Sequence, residues 1–221
     1  MKKIYSLFFV TVTSISMHAM QEADLKQQLA KHIPTLKWNS FTYTKNELIS
    51  LQNTVKKLMQ TDDALDLHLS SVDKAITKYL TSVTYHPARP LSPATSNNIL
   101  KKEIYHPLVQ LVCEIEAKTN SPMSNLAKHI TQLKWNSHNY LKDEIHNLSQ
   151  TITLFMEQTT EKETCEKLKN IHQAIRKFNE NLRYTNFTGG ISPYRLHEIY
   201  EKEIYKPLVA FMCQNILKEQ N

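Results

Sequence analysis

Glycine is almost absent from this chain, which has only 2 glycines in 221 residues, whereas glycine makes up about 7% of an average protein. The two glycines are adjacent, as Gly189 and Gly190. Phosphate-binding loops, dinucleotide-binding fingerprints and nucleophile elbows need glycines at fixed spacings, because a backbone that turns sharply or touches a ligand leaves no room for a side chain. The sequence therefore excludes these motifs and, with them, most α/β enzyme classes.

Long hydrophobic runs are also rare, and the run at the N-terminus is short. A basic start (residues 1–3) precedes an apolar run over residues 4–17, which is shorter than the ~20 residues of a membrane-spanning helix. This arrangement is typical of a secretory signal peptide. We therefore predict a signal peptide over residues 1–19, cleaved after Ala19 or after Ser16. The mature protein is then expected to be periplasmic or secreted, without a membrane span.

Clustered arginine is missing, although the chain is basic. The net charge is +6, and only four of the 27 basic residues are arginines. Residues 1–19 contain two lysines and no acidic residue, so their removal leaves a net charge of +4. Nucleic-acid-binding proteins usually carry a clustered, arginine-rich stripe, whereas these lysines are scattered among acidic residues on predicted helices. We therefore predict no nucleic-acid partner.

The strongest signal in the sequence is an internal repeat. Residues 29–51 match residues 126–148 at 14 of 23 positions. Residues 101–113 match residues 201–213 at 8 of 13 positions, so the offset between the copies grows from 97 to 100. The period is about twice that of ordinary solenoid repeats, which favours a duplicated domain. We predict two tandem units, residues 20–118 and 119–221.

Each unit is predicted to contain four helices, because apolar residues recur three and four positions apart. In the first unit the expected helices cover about 22–34, about 44–60 and the segment from Leu65 to Val83, and a fourth begins after Ser92-Pro93. No alternating strand pattern competes with this reading. The predicted fold class is all-α, with two pseudo-equivalent four-helix bundles.

Proline occurs inside the predicted fourth helix of each unit, as Pro107 and Pro207. Proline in a helix interior removes a backbone hydrogen bond and clashes with the preceding turn. We therefore expect a kink at these positions, or a break into two short helices.

An identical segment, Leu-Lys-Trp-Asn-Ser, occurs in both units and contains Trp38 and Trp135. A tyrosine follows each tryptophan five residues later, as Tyr43 and Tyr140. In one interpretation the tryptophans fill a helix corner while the neighbouring Asn and Ser cap helix ends. In the other, each Trp–Tyr pair lines a groove that binds a peptide, lipid or glycan. These four aromatic residues are candidate binding residues.

Two matched histidines, His32 and His129, follow a lysine near the end of the first helix of each unit. A histidine there complements the helix dipole and bonds the last carbonyl groups. The alternative is a role in ligand binding or proton transfer, so both are further binding candidates. An enzyme that paired these histidines with Glu47 or Glu144 is a third-ranked hypothesis, and we predict no catalytic residue.

Metal signatures are incomplete. Glu103 and His106 have the Glu-x-x-His spacing of di-iron bundles, but the second unit carries Lys206 in place of the histidine, and lysine does not replace it as a ligand. There is no His-Glu-x-x-His and no Cys-x-x-Cys. We therefore predict neither a metal nor a cofactor.

Cysteine is scarce, with two cysteines at matching positions and a third alone: Cys113, Cys213 and Cys165. Export permits a disulfide between Cys113 and Cys213, which leaves Cys165 unpaired or intermolecular. The alternative is that Cys113 and Cys213 are small core residues on the apolar face of the fourth helix.

The signal peptide, the repeated aromatic segments and the missing catalytic motifs together favour an exported, non-enzymatic helical protein. Its expected partner is another macromolecule, either a protein or a component of the cell envelope. The alternative is a protein that binds a small molecule or lipid in a pocket between helices.

Overall fold

Helices make up almost all of the chain that the structure describes, and no strand occurs among those residues. This computed structural model describes residues 23–36, 45–60, 63–85, 92–119, 121–133, 142–184 and 192–218. The predicted all-α fold class is therefore confirmed. The predicted signal peptide, residues 1–19, lies outside the described residues. Among the described helices, none combines the length and the apolar composition that a membrane crossing requires.

The chain divides into two compact units, residues 1–115 (unit 1) and residues 116–221 (unit 2). This division lies slightly before the predicted one at residues 118–119. The side-chain contacts of Glu116 also lie on the side of unit 2, because its carboxylate accepts hydrogen bonds from the hydroxyls of Thr119 and Ser121 at 3.1 and 2.6 Å. The turn that was expected to separate the units is thus tied to the start of unit 2.

Unit 1 contains a series of helices joined by short segments. Helix α1 covers residues 23–32 and runs into a short 3-10 helix, Ile33–Thr35. The next elements are α2 (Lys45–Met59), α3 (Asp63–Tyr85), α4 (Pro93–Asn98), a π-helical segment (Ile99–Tyr105) and α5 (His106–Ala117).

Unit 2 presents the same kinds of element in the same order. It contains α6 (Pro122–Gln132), α7 (Lys142–Gln158), α8 (Lys162–Tyr184), α9 (Pro193–Ile199), a second π-helical segment (Tyr200–Tyr205) and α10 (Lys206–Lys218). Helix α7 contacts α6 and α8, and α10 contacts the same two helices, which makes this unit a helical bundle. The connections between the second and third helices have equal length in the two units, residues 60–62 and residues 159–161, and α7 has 17 residues where α2 has 15. The two residues inserted near 158–163 relative to unit 1 therefore lengthen the end of α7, and their expected place in a loop is wrong.

The core consists of the apolar stripes that the helical spacing predicts. All four stripe positions of α2 are buried, and they are Leu48, Leu51, Val55 and Leu58. In α7 the matching Ile145, Leu148 and Ile152 are buried, whereas Phe155 is half-exposed. Each fully buried aliphatic side chain contributes roughly 1.5–3 kcal/mol relative to an exposed one, so these stripes are the main stabilising feature of both units.

The prolines of the fourth helix are accommodated by π-helical turns. The backbone N–H of His106 donates to the carbonyl of Lys101, and the N–H of Lys206 donates to the carbonyl of Glu201. Both hydrogen bonds span five residues instead of four. In an α-helix the ring of Pro107 would clash with the carbonyl four residues earlier, and the wider π turn gives it room. The expected break into two short helices is therefore wrong, because the chain stays helical on both sides of each proline.

Serine caps the start of three helices, and a proline follows it at the first helical position in each case. The Oγ of Ser92 accepts the backbone N–H of Thr95 at 3.1 Å, and Ser192 accepts that of Arg195 at 3.2 Å. These two caps confirm the predicted start of the fourth helix in each unit. Ser121 caps α6 in the same way.

Candidate functional site

The matched histidines join two helices in each unit. In unit 1, Nε2 of His32 lies 3.0 Å from Oγ1 of Thr54 on α2. In unit 2, Nε2 of His129 on α6 lies 2.8 Å from Oγ1 of Thr151 on α7. The two threonines are separated by the same 97 residues as the two histidines. Each unit therefore holds its first two helices together through one histidine–threonine hydrogen bond.

Threonine hydroxyls bond carbonyl groups near the end of the first helix in each unit. The hydroxyl of Thr35 donates to the carbonyl of His32, and that of Thr131 donates to the carbonyl of Lys128, both at 2.7 Å. In unit 1 the hydroxyl of Thr54 donates its proton to the carbonyl of Ser50 at 3.2 Å. Nε2 of His32 is therefore the donor to Thr54, because a hydroxyl has a single proton to give.

Both histidines are held in the neutral form. Burial lowers the pKa of His32, with a further contribution from the charge of Lys31, and burial alone lowers the pKa of His129. A neutral imidazole does not complement a helix dipole as a cation would. Neither Glu47 nor Glu144 makes a side-chain hydrogen bond with a described residue, so the structure does not form the histidine–glutamate pairs of the enzyme hypothesis.

Four of the six predicted binding residues lie outside the part of the chain that the structure describes. They are Trp38, Tyr43, Trp135 and Tyr140. Their proposed role in binding stays a prediction, and only His32 and His129 of the candidate set are placed by the structure.

The cysteines are thiols in the structure, and the Cys113–Cys213 disulfide stays a prediction for the exported protein. Cys113 and Cys213 are both fully buried, which matches the alternative that they are small core residues. Burial raises the pKa of the Cys213 thiol to about 12, so the thiolate needed for nucleophilic attack is disfavoured. Within the described ranges, no three His, Cys, Asp or Glu side chains gather in a group that could hold a metal ion.

A surface groove with a volume of about 460 Å³ lies between α8 and α10 of unit 2. Its apolar lining comes from both helices and consists of Ile171, Ala174, Pro207, Ala210 and Phe211. Ile171 and Phe211 are part of the core, whereas Ala210 and Pro207 are partly exposed. The groove is therefore shallow, with a floor of small side chains that leaves space above the core.

The edge of this groove carries polar groups that are left without partners. Lys177 on α8 and Glu203 at the other side make no ion pair with a described residue. The only side-chain bridge across the groove among the described residues is at one end, where Nζ of Lys167 donates to Oε1 of Gln214 at 3.0 Å. The edge can therefore form hydrogen bonds and an ion pair with a bound partner.

At the matching surface of unit 1, Lys78 and Glu103, which match Lys177 and Glu203, form an ion pair with Nζ and Oε2 separated by 3.3 Å. Gln110 stands where unit 2 has Ala210, and its amide donates to Glu114 at 2.9 Å. The two units therefore differ at this surface in the size of one side chain and in one ion pair.

A second depression of about 300 Å³ lies between α6 and α7, and His129 and Thr151 line it. The sequence pattern predicted His129 as a candidate residue but did not predict Thr151 or the other residues of this depression. The matched threonines, which recur at the same offset as the histidines, were the signal that could have located this site.

Comparison with known protein families, with curated proteins and with solved structures gives no match.

Proposed function

We propose that this chain is an exported, non-enzymatic interaction module that binds another macromolecule through the α8–α10 groove of unit 2. The observation that carries the proposal is the open edge of the groove. Lys177 and Glu203 make no ion pair there, whereas Lys78 and Glu103 are paired in unit 1. An apolar floor flanked by exposed charged groups is the kind of surface into which a helix or a peptide packs.

The architecture that we propose is a duplication, with two pseudo-equivalent helical units after a signal peptide. Several matched features support it: the histidine–threonine bonds, the serine caps and the π-helical turns before Pro107 and Pro207. Duplication keeps the core of both copies and frees the surface of one to change. A surface that differs between the two copies is what we expect when one copy gains a partner.

A non-enzymatic role is supported by the state of the candidate groups. The imidazoles of His32 and His129 are bonded to threonine hydroxyls and not to a carboxylate. The buried Cys213 has a raised pKa. None of these groups has the basic partner or the exposed thiolate that nucleophilic catalysis uses.

The test is site-specific photo-crosslinking in the native cells. A photo-crosslinking amino acid replaces Gln173, which lines the groove, in one variant and Lys74, its match in unit 1, in the control, so Lys177 and the Lys78–Glu103 pair stay intact. We expect a defined protein adduct from position 173 and none from position 74. Adding Ala210→Trp, which fills the groove, should reduce the adduct by about tenfold or more, as loss of about 1.4 kcal/mol of binding free energy would.

The matched control for the filling substitution is Gln110→Trp in unit 1, which should leave the adduct unchanged. Circular dichroism must first show native helix content in each variant. Adducts of equal yield from both positions, or an adduct that survives Ala210→Trp, would contradict the proposal.

A further inference from the structure

The depression between α6 and α7 has a lining of one charge sign. Of its eight lining residues only Lys128 carries a full charge at neutral pH, and no aspartate or glutamate is among them. Lys128 makes no ion pair with any described residue. A surface ammonium that makes no such ion pair attracts an anion, and the attraction is stronger where protein rather than water lies on several sides.

Uncharged hydrogen-bonding groups surround this lysine. The side-chain amides of Asn125, Gln132 and Gln158 line the depression, and none of them makes a side-chain hydrogen bond with a described residue. An amide N–H can donate to a carboxylate oxygen, and such charge-assisted bonds are shorter and stronger than neutral ones. These groups therefore supply donors next to the cation.

His129 and Thr151 form a neutral, fixed part of the lining. Their side chains bond each other at 2.8 Å. Because burial lowers the pKa of His129, the ring adds no second positive charge near pH 7. The pair thus holds α6 and α7 together beside the depression, and Lys128 is the charged residue of the lining.

The remaining lining is apolar. The side chain of Leu154 is 57% exposed, which is unusual for a large aliphatic residue on a helix of this core. Phe155, beside it, is half-exposed and packs edge-on against Phe211 with ring centroids 5.9 Å apart. An exposed leucine next to an aromatic ring offers contact area to an apolar group of a ligand.

We propose that the α6–α7 depression is a binding site for a small carboxylate that carries an apolar group. The carboxylate binds Lys128 and the neighbouring amides, and the apolar group packs against Leu154 and Phe155. A volume of about 300 Å³ is at the lower end of the range for small-molecule sites, which fits a small ligand and not a long acyl chain.

The matching surface of unit 1 has a different chemistry and provides a control inside the same molecule. Lys57 stands where unit 2 has Leu154, and Asp24 stands where unit 2 has Ser121. Asp24 accepts a hydrogen bond from the amide of Gln28 at 2.8 Å, so an acid lies on that surface. Because Asp24 lies on the same surface as Lys31, which matches Lys128, we expect no binding of a small carboxylate at Lys31.

The test uses phenylacetate and hexanoate as probes, each beside its uncharged amide, in titrations of residues 20–221 followed by ¹⁵N NMR. We expect each acid to shift the amide resonances of Lys128, His129 and Thr151, with an affinity about tenfold or more above that of its amide. Lys128→Gln should lower the affinity for the acid about tenfold, whereas Lys31→Gln should leave it unchanged.

Leu154→Lys separates the two parts of the site, because it keeps and even increases the positive charge while it removes the apolar contact. We expect it to weaken binding of phenylacetate more than binding of acetate. The spectrum of each variant shows directly whether it is folded. Equal affinity for acid and amide, equal effects of Lys128→Gln and Lys31→Gln, or no shift at about 20 mM probe would each overturn the proposal.

Discussion

Units 1 and 2 use matching positions for the same structural purpose but with different side chains. Between the second and third helices, unit 1 joins Gln52 to Asp73 at 2.8 Å, while unit 2 joins Ser149 to His172 at 2.9 Å at the matching positions. Both units therefore have a hydrogen bond at this place between the two helices, although the residues that form it are different. The contacts between the helices are thus the constrained feature, whereas the types of side chain that form them are free to differ.

The buried side chains at two matching core positions also differ. In unit 2 the buried rings of Phe178 and Tyr200 pack with centroids 5.7 Å apart. The matching residues of unit 1 are Tyr79, a core residue that is 9% exposed, and Leu100. At these positions unit 2 therefore has two aromatic side chains, whereas unit 1 has one aromatic and one aliphatic side chain.

The largest effect is expected from breaking this pair. Phe178→Ala should lower the free energy of unfolding of unit 2 by about 3–5 kcal/mol, because it removes a fully buried ring and leaves a cavity. Tyr79→Ala should cost unit 1 less, since its ring is not fully buried. Urea unfolding measures both: Trp135→Phe leaves Trp38 as a reporter of unit 1, and Trp38→Phe leaves Trp135 as a reporter of unit 2. Equal losses in the two units would contradict the difference in packing.

The second largest effect is expected from acid, which should destabilise unit 1 more than unit 2. Burial, aided by the charge of Lys101, lowers the pKa of His106 from 6.5 to about 2. The unfolded chain binds a proton at this residue below about pH 6.5 while the folded chain does not, so the stability of unit 1 should fall as the pH falls from 6.5 towards 2. For one proton, the free energy of unfolding changes by at most about 1.4 kcal/mol per pH unit.

Unit 2 has Lys206 at the matching position and does not share this loss. His32 and His129 also have lowered pKa values, but they affect both units in the same direction. Urea midpoints between pH 7 and pH 4, followed by the same two tryptophan reporters, give the two slopes. His106→Gln should flatten the slope of unit 1 towards that of unit 2, and a steep slope that persists in this variant would assign the effect to other groups.

The smallest effects concern the serine caps. Ser92→Ala and Ser192→Ala should each cost about 1 kcal/mol, the usual value for a lost N-cap. Ser121→Ala should cost about 2–3 kcal/mol, because Ser121 also donates at 2.6 Å to the carboxylate of Glu116, whose side chain is fully buried. Urea unfolding with the Trp135 reporter compares Ser121→Ala with Ser192→Ala. Losses that agree within about 0.5 kcal/mol would show that the bond to Glu116 adds nothing.

The sequence allowed the helices and their buried faces to be predicted, because both depend on local spacing. Leu48, Leu51, Val55 and Leu58 recur at three and four positions, and all are buried. Ser92 and Ser192 likewise mark helix starts through contacts within one turn. These features need no knowledge of the rest of the chain.

The grooves and bridges could not be predicted in the same way, because they depend on which helices meet. Lys177 and Glu203 are the same residue types as Lys78 and Glu103, so the sequence predicts the same ion pair in both units. Only the structure shows that one pair forms and the other does not. The threonine partners of the histidines lie 22 residues away on the next helix, beyond the reach of local rules.

The π-helical segments have a consequence for how the length of this helix can change. Ile99 and Ile104 are both buried although they are five residues apart, a spacing that suits a five-residue hydrogen-bonded turn and not an α-helix. Each segment therefore contains one residue more than an α-helix of the same length. The buried faces of the helices on either side stay aligned with the core. Loss of one residue from such a segment would restore an α-helix with both flanking faces in place, but it would also bring the ring of Pro107 or Pro207 against the carbonyl group four residues earlier. The extra residue and the proline are therefore expected to be kept or lost together in each fourth helix.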